Sequence, residues 1–132
     1  MLTVLLVVSS LFAGCANLGG ADVRSDDYIA NRAVQRWKEL IDGDFAKAYL
    51  FESPAYRKVK SPGYYKGSFG AWTHWTHADV LSVKRVNEHL AVVRIALEYM
   101  FFPGRSGVAM KDVSYFDEKW RYVNNEWWHV SN

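Results

Sequence analysis

The chain has 132 residues, 16 of them basic and 14 acidic, with a formal net charge of +2 and both signs interspersed. That excludes the basic stripe on which nucleic-acid binding depends, and six Trp with eight Tyr exclude disorder, which goes with few aromatics. The length suits one domain with its own core, and no glycine-rich phosphate loop, repeat or low-complexity tract interrupts it.

Residues 2–14 are uncharged and largely apolar, and they end in Leu11-Phe12-Ala13-Gly14-Cys15. The run falls short of the roughly 18–20 apolar residues of a membrane span. It has the length of a secretory h-region, about 7–15 residues ahead of small residues at a cleavage site. The ending resembles the lipobox of a bacterial lipoprotein, whose cysteine is lipidated and becomes the new N-terminus. The resemblance implies a signal peptide over 1–14, lipidation at Cys15 and a tether over 15–25. It also implies three acyl chains; each buried CH₂ contributes about 0.8 kcal/mol, so such an anchor scarcely dissociates. Two departures stand out: no Lys or Arg precedes the apolar run, which suggests a start codon upstream, and Phe12 stands where Leu is usual. Cys15 is the sole cysteine, so neither a disulfide nor a cysteine metal site is expected in the domain. Ala16 follows it, where Asp would resemble an inner-membrane retention signal. The expected address is the cell envelope, on the outer membrane facing the periplasm rather than the inner membrane. A tether of this length reaches about 16–19 Å on average, which keeps the domain close to the bilayer.

Residues 27–42 predict an amphipathic helix, with Ala33, Trp37, Leu40 and Ile41 on one face. Asp26 or Asp27 caps it and Gly43 takes the left-handed position after its end. Asp44 caps a short second helix carrying Phe45, Ala48 and Tyr49. Ser53-Pro54 and Ser61-Pro62 each have the form of an N-cap followed by proline at the first helical position. The second predicts a helix bearing Tyr65, Phe69 and Trp72, which Gly63, Gly67 and Gly70 weaken. After residue 77 the period becomes 2, predicting strands over 78–86, 90–102, 111–123 and 126–130. In the second of these Ala91, Val93, Ile95, Leu97, Tyr99 and Phe101 should face the core. Asn87-Glu88 and Asn124-Asn125 mark turns, and 103–107 a loop. A shift of the apolar register between Tyr115 and Phe116 predicts a bulge. Adjacent Trp127 and Trp128 must point to opposite faces, so one of them should lie outside the main core. Helices followed by an antiparallel sheet is an α+β order; N-terminal helices packed on a strongly curved sheet would make a cone.

Ala33 to Trp37 leads into Leu40 to Tyr49 through Asp44-Phe45-x-x-Ala48-Tyr49, and Ser53-Pro54 and Tyr56-Arg57 follow. Glu118-Lys119-Trp120 and Asn125-Glu126-Trp127-Trp128-His129-Val130 close the chain. In these features residues 26–132 resemble an NTF2-like domain of the SnoaL or ketosteroid-isomerase type. The motifs are packing signatures, and one fold hosts unrelated activities.

Enzymes of that type, as the resemblance implies, hold an Asp base with Tyr, His or Asp partners inside the cone. The register of residues 91–101 offers no inward acid, only Tyr99. His77 and Asp79 share a face and form a candidate acid/base pair at a cavity mouth, with Tyr99, or with Tyr49, as a partner. The opposite face, with Ala78 and Val80, serves equally well as the inner one, which would leave that pair on the surface. His74 and His77 could share a metal only on a helix and lack a third ligand at a supporting spacing, so neither a metal nor a cofactor is expected. Tyr49, Trp72, Tyr99 and Trp120 are candidate pocket residues for a small apolar or sugar-like ligand. Three functions remain open: a lipoprotein binding a small ligand or an envelope protein partner, without assigned catalysis; a small isomerase, dehydratase or hydrolase; and a structural homodimer built on the face carrying Arg94 and Glu98.

Overall fold

The computed structural model describes residues 20–70, 74–105 and 107–131; Cys15, the apolar run before it and Trp72 lie outside the described residues. Four helices precede four strands: α1 (Asp26–Ile41), α2 (Phe45–Tyr49), α3 (Pro54–Val59), α4 (Pro62–Gly67), β1 (His74–Asn87), β2 (Leu90–Phe101), β3 (Met110–Val123) and β4 (Glu126–Val130). The strands form one antiparallel sheet in the order β1-β2-β3-β4, which is left open. The α+β class is therefore observed. No helix among the described residues is long and apolar enough to cross a membrane.

Each helix is started by a side chain that accepts a backbone N–H. Ser25 Oγ caps α1, accepting from Tyr28 N at 3.1 Å, and not Asp26 or Asp27, which occupy the first turn and complement the helix dipole there. Asp44, Ser53 and Ser61 cap the other three, and Gly43 ends α1 with φ of +77°. The fourth helix stops at Gly67, so of its expected trio Tyr65 is helical and Phe69 follows it.

One stripe of α1, Ile29, Ala33, Arg36, Trp37 and Leu40, is buried against the sheet. It meets Ala91, Val93, Ile95 and Leu97 of β2, with Trp120 and Trp127 beyond them, so the inward register expected for β2 is the observed one. Pairing of β2 with β3 runs one-to-one from Leu90↔Arg121 to Phe101↔Met110, and the bulge expected at Tyr115/Phe116 does not exist. The apolar pattern broke because charged Glu118 faces inward while Val113 and Tyr115 face outward. The bulges lie in β1, at Trp75/His77, Val80/Ser82 and Arg85/Asn87. An extra residue at Leu81 transfers the inner face from Ala78 and Val80 to Val83.

Asn124 and Asn125 both have positive φ, 53° and 62°, the backbone a two-residue turn of primed type requires. Trp127 is fully buried, whereas Trp128 on the opposite face sits half-buried beneath the guanidinium groups of Arg32 and Arg57, 5.5 and 5.1 Å from its ring. The free side of β4 is covered by residues 51–53: His129 N–H donates to Phe51 O at 2.8 Å and Ser53 N–H to His129 O at 3.1 Å. This parallel bridge places Glu52 beside His129.

Candidate functional site

Four ionisable side chains converge beneath α1: Arg36 at 3 % exposure, Glu52 at 0 %, Glu118 at 5 % and His129 at 8 %. Each comes from a different element, and the fold dictates each position. Arg36 lies on the buried stripe of α1, three residues after Ala33. Glu118 and Trp120 share the inner face of β3 through the period of 2. His129 shares the inner face of β4 with Trp127, and the bridge to residues 51–53 brings Glu52 alongside.

Arg36 joins the two carboxylates. Its guanidinium lies 3.2 Å from Glu52 Oε1 and 3.0 Å from Glu118 Oε1. Glu118 also accepts from Trp37 Nε1 at 2.8 Å and from Trp120 Nε1 at 3.3 Å. Glu52 holds His129 Nδ1 at 2.9 and 3.0 Å and accepts from Ser131 Oγ at 2.9 Å. His129 Nε2 stands 3.8 Å from Glu118 Oε1. Burial works to raise the Glu52 carboxyl, but the hydrogen bond and charge of His129, the Arg36 charge and the Ser131 hydroxyl outweigh it and hold the group below its ordinary value. Burial likewise works to lower the Arg36 guanidinium, and the charges of Glu118 and Glu52 raise it instead. Tyr65, 1 % exposed, lies beside Arg36 and Glu52 with a hydroxyl that has no hydrogen-bond partner among the described residues, and burial pushes it up.

A cleft of about 320 Å³ opens onto this network. Arg36, Glu118 and His129 contribute to its lining, with Phe69 and Phe116 as aromatic walls and Ser131 at its margin.

The residues singled out in the sequence lie elsewhere or play other parts. His77 and Asp79 pair with each other at 3.1 Å, but on the outer face of the sheet, with side chains 58 % and 62 % exposed. They do not reach the cleft, because the bulges of β1 put Ala78, Val80 and Val83 inside. Tyr99 is half-buried on the inner face, with its hydroxyl 3.4 Å from Asp112, so it does not join them. Tyr49 is buried and donates to Lys60 O at 2.7 Å, tying α2 to the end of α3. Trp120 belongs to the core and touches the site as a donor to Glu118 and through an edge-on ring contact with His129. The inward register of residues 91–101 holds no acid, as expected, but β3 supplies one that was not singled out, Glu118. Its signal was present: a Glu two residues before a core Trp on an alternating strand.

Compared with known proteins, the chain matches no family model, and no curated protein matches it.

Proposed function

We propose that this chain is an envelope lipoprotein, anchored by lipid on Cys15, whose domain has the NTF2-like form of helices closing a curved sheet into a cone and binds a small ligand there. The observation that supports binding is the cleft of about 320 Å³ with Arg36, Glu118 and His129 in its lining. Ligand pockets run from roughly 300 to 1,000 Å³ and combine apolar walls with a few placed polar groups. Burying four ionisable groups is costly, and well-packed apolar residues of similar volume commonly stabilise a core as well or better. Their position beside a cleft is better explained by recognition than by stability.

The chemistry of the network narrows the ligand. One guanidinium against two carboxylates leaves a net negative charge whenever His129 is neutral, which disfavours anions. A neutral imidazole giving its Nδ1 proton to Glu52 presents a lone pair at Nε2, facing Glu118 Oε1 across 3.8 Å. Glu118 Oε1 is already taken by Arg36 and Trp37, so Nε2 is the acceptor, and it suits a hydroxyl donated from a ligand. Of an apolar and a sugar-like ligand, the sugar-like one fits. Titration with N-acetylglucosamine, followed by NMR of the His129 ring protons, is expected to give a saturable shift, and benzoate none. A benzoate response without a sugar response would reject the reading.

A second reading, a small isomerase, dehydratase or hydrolase, is favoured by the carboxylate-held imidazole, whose Nδ1 is fixed by Glu52 while Nε2 remains for acid/base work. The working pair would then be Glu52–His129 in place of His77–Asp79. Turnover of any substrate found should fall about 100-fold or more in His129→Gln and stay unchanged in His77→Ala. The opposite order would exclude it.

A further inference from the structure

β3 is longer than the strand that covers it. It runs from Met110 to Val123, but β4 pairs only with Lys119–Val123. Among the described residues no strand or backbone bond occupies that side of Met110–Glu118. Tyr122 N–H points toward the β1–β2 turn, donating to His89 O. Alternation along the strand therefore turns the N–H and C=O groups of Lys111, Val113, Tyr115 and Asp117 toward the open side. Val113 N–H is taken up by the neighbouring Asp112 side chain at 2.8 Å, as suits a donor with no facing strand. Beside these groups Tyr115 is 58 % and Val113 37 % exposed. An open edge with apolar side chains is a template for another strand.

We propose that a second copy of this chain occupies that edge, β3 against β3, antiparallel about a two-fold axis at Ser114. The side chains select this register. Centring on Ser114 sets Val113 opposite Tyr115 and Lys111 opposite Asp117, twice each, so apolar faces apolar and opposite charges meet. Cross-strand pairs of both kinds stabilise a sheet, and like charges directly opposite destabilise it. Moving the centre to Tyr115 sets Lys111 opposite Lys119 and Val113 opposite Asp117. Moving it to Val113 sets Lys111 opposite Tyr115 and leaves Asp117 facing Ala109. Length independently excludes the Tyr115 centre. With the axis at Ser114, Met110 of one copy lies opposite Glu118 of the other, so the incoming strand ends where β4 begins, whereas the Tyr115 centre drives it into β4. The two sheets join through their β3 strands, and Asp112 of the second copy comes opposite Phe116, at the wall of the cleft. This interface differs from one on the Arg94 and Glu98 face, and it does not depend on what the cleft binds.

Two experiments on the full chain carrying Cys15→Ser test the proposal. Residues at the axis form a non-hydrogen-bonded pair about 4.5 Å apart at Cα, within disulfide reach. On mild oxidation Ser114→Cys is expected to cross-link about fivefold faster than Val113→Cys or Tyr115→Cys, whose own copies lie off the axis. Equal rates, or a maximum at 113 or 115, would overturn the register. In sedimentation equilibrium of the chain without introduced cysteines, Lys111→Glu and Asp117→Lys should each weaken the dimer about tenfold, and the double exchange should restore it to within about twofold. Arg94 pairs with Asp117 at 3.1 Å and loses that partner in Asp117→Lys and in the double variant alike, so its effect cancels in that comparison. A monomeric chain, or a double variant no better than the singles, would overturn the interface.

Discussion

Arg36→Met is expected to destabilise the fold by about 3–5 kcal/mol at neutral pH, as measured by urea unfolding. The side chain fits, so the cost is electrostatic. Arg36 is the permanent cation bonded to both Glu52 and Glu118, and removing one partner of a buried pair strands the other in a poorly solvating medium. Trp37, Trp120 and Ser131 still donate to the carboxylates but bring no full charge. The same reasoning predicts recovery. Adding Glu52→Gln and Glu118→Gln removes the stranded charges and should return the triple variant to within about 1 kcal/mol of the parent, because neutral replacement of a whole buried network is often close to neutral in stability. A loss under about 1 kcal/mol in the single variant would mean that the network does not carry the charges assigned to it.

That network also marks where the sequence stopped being readable. Elements were legible because caps, prolines, glycines and periodicity are local: Asp44, Ser53 and Ser61 each start the helix expected of them, and the two asparagines make the last turn. The inward register of β2 was legible because no polar residue interrupts it. The registers of β1 and β3 were not. Three bulges defeat a period of 2 in β1, and an inward Glu118 imitates a bulge in β3. The site failed to show for a related reason. Arg36, Glu118 and His129 each stand at a core position by period, yet charge reads as surface when one element is taken alone. Only the bridge between residues 51–53 and β4, a contact 77 residues apart in sequence, brings Glu52 to His129 and makes the inward charges affordable. His77 and Asp79, a visible pair two residues apart, are by contrast brought together by their own strand and pair in solvent on its outer face.

Glu52 gives the second large effect and ties the site to pH. Its carboxyl is held below the ordinary value, so the folded state binds its proton less readily than the unfolded chain. The stabilisation is therefore fully present above the ordinary carboxylate range, about pH 4.3, and is lost as pH falls through the lower folded value. Glu52→Gln has nearly the shape of the protonated acid and lacks the charge that pairs with Arg36 and His129. The variant should be less stable by about 2–3 kcal/mol at pH 7. As pH falls through that lower folded value the two proteins should converge, since the parent then carries a neutral side chain there too. Urea midpoints from pH 7 down to pH 3 measure the gap directly. A gap that stays constant would assign the loss to packing of the carboxamide. One that widens toward acid would reverse the sign of the coupling and remove Glu52 as the ionised partner that orients His129.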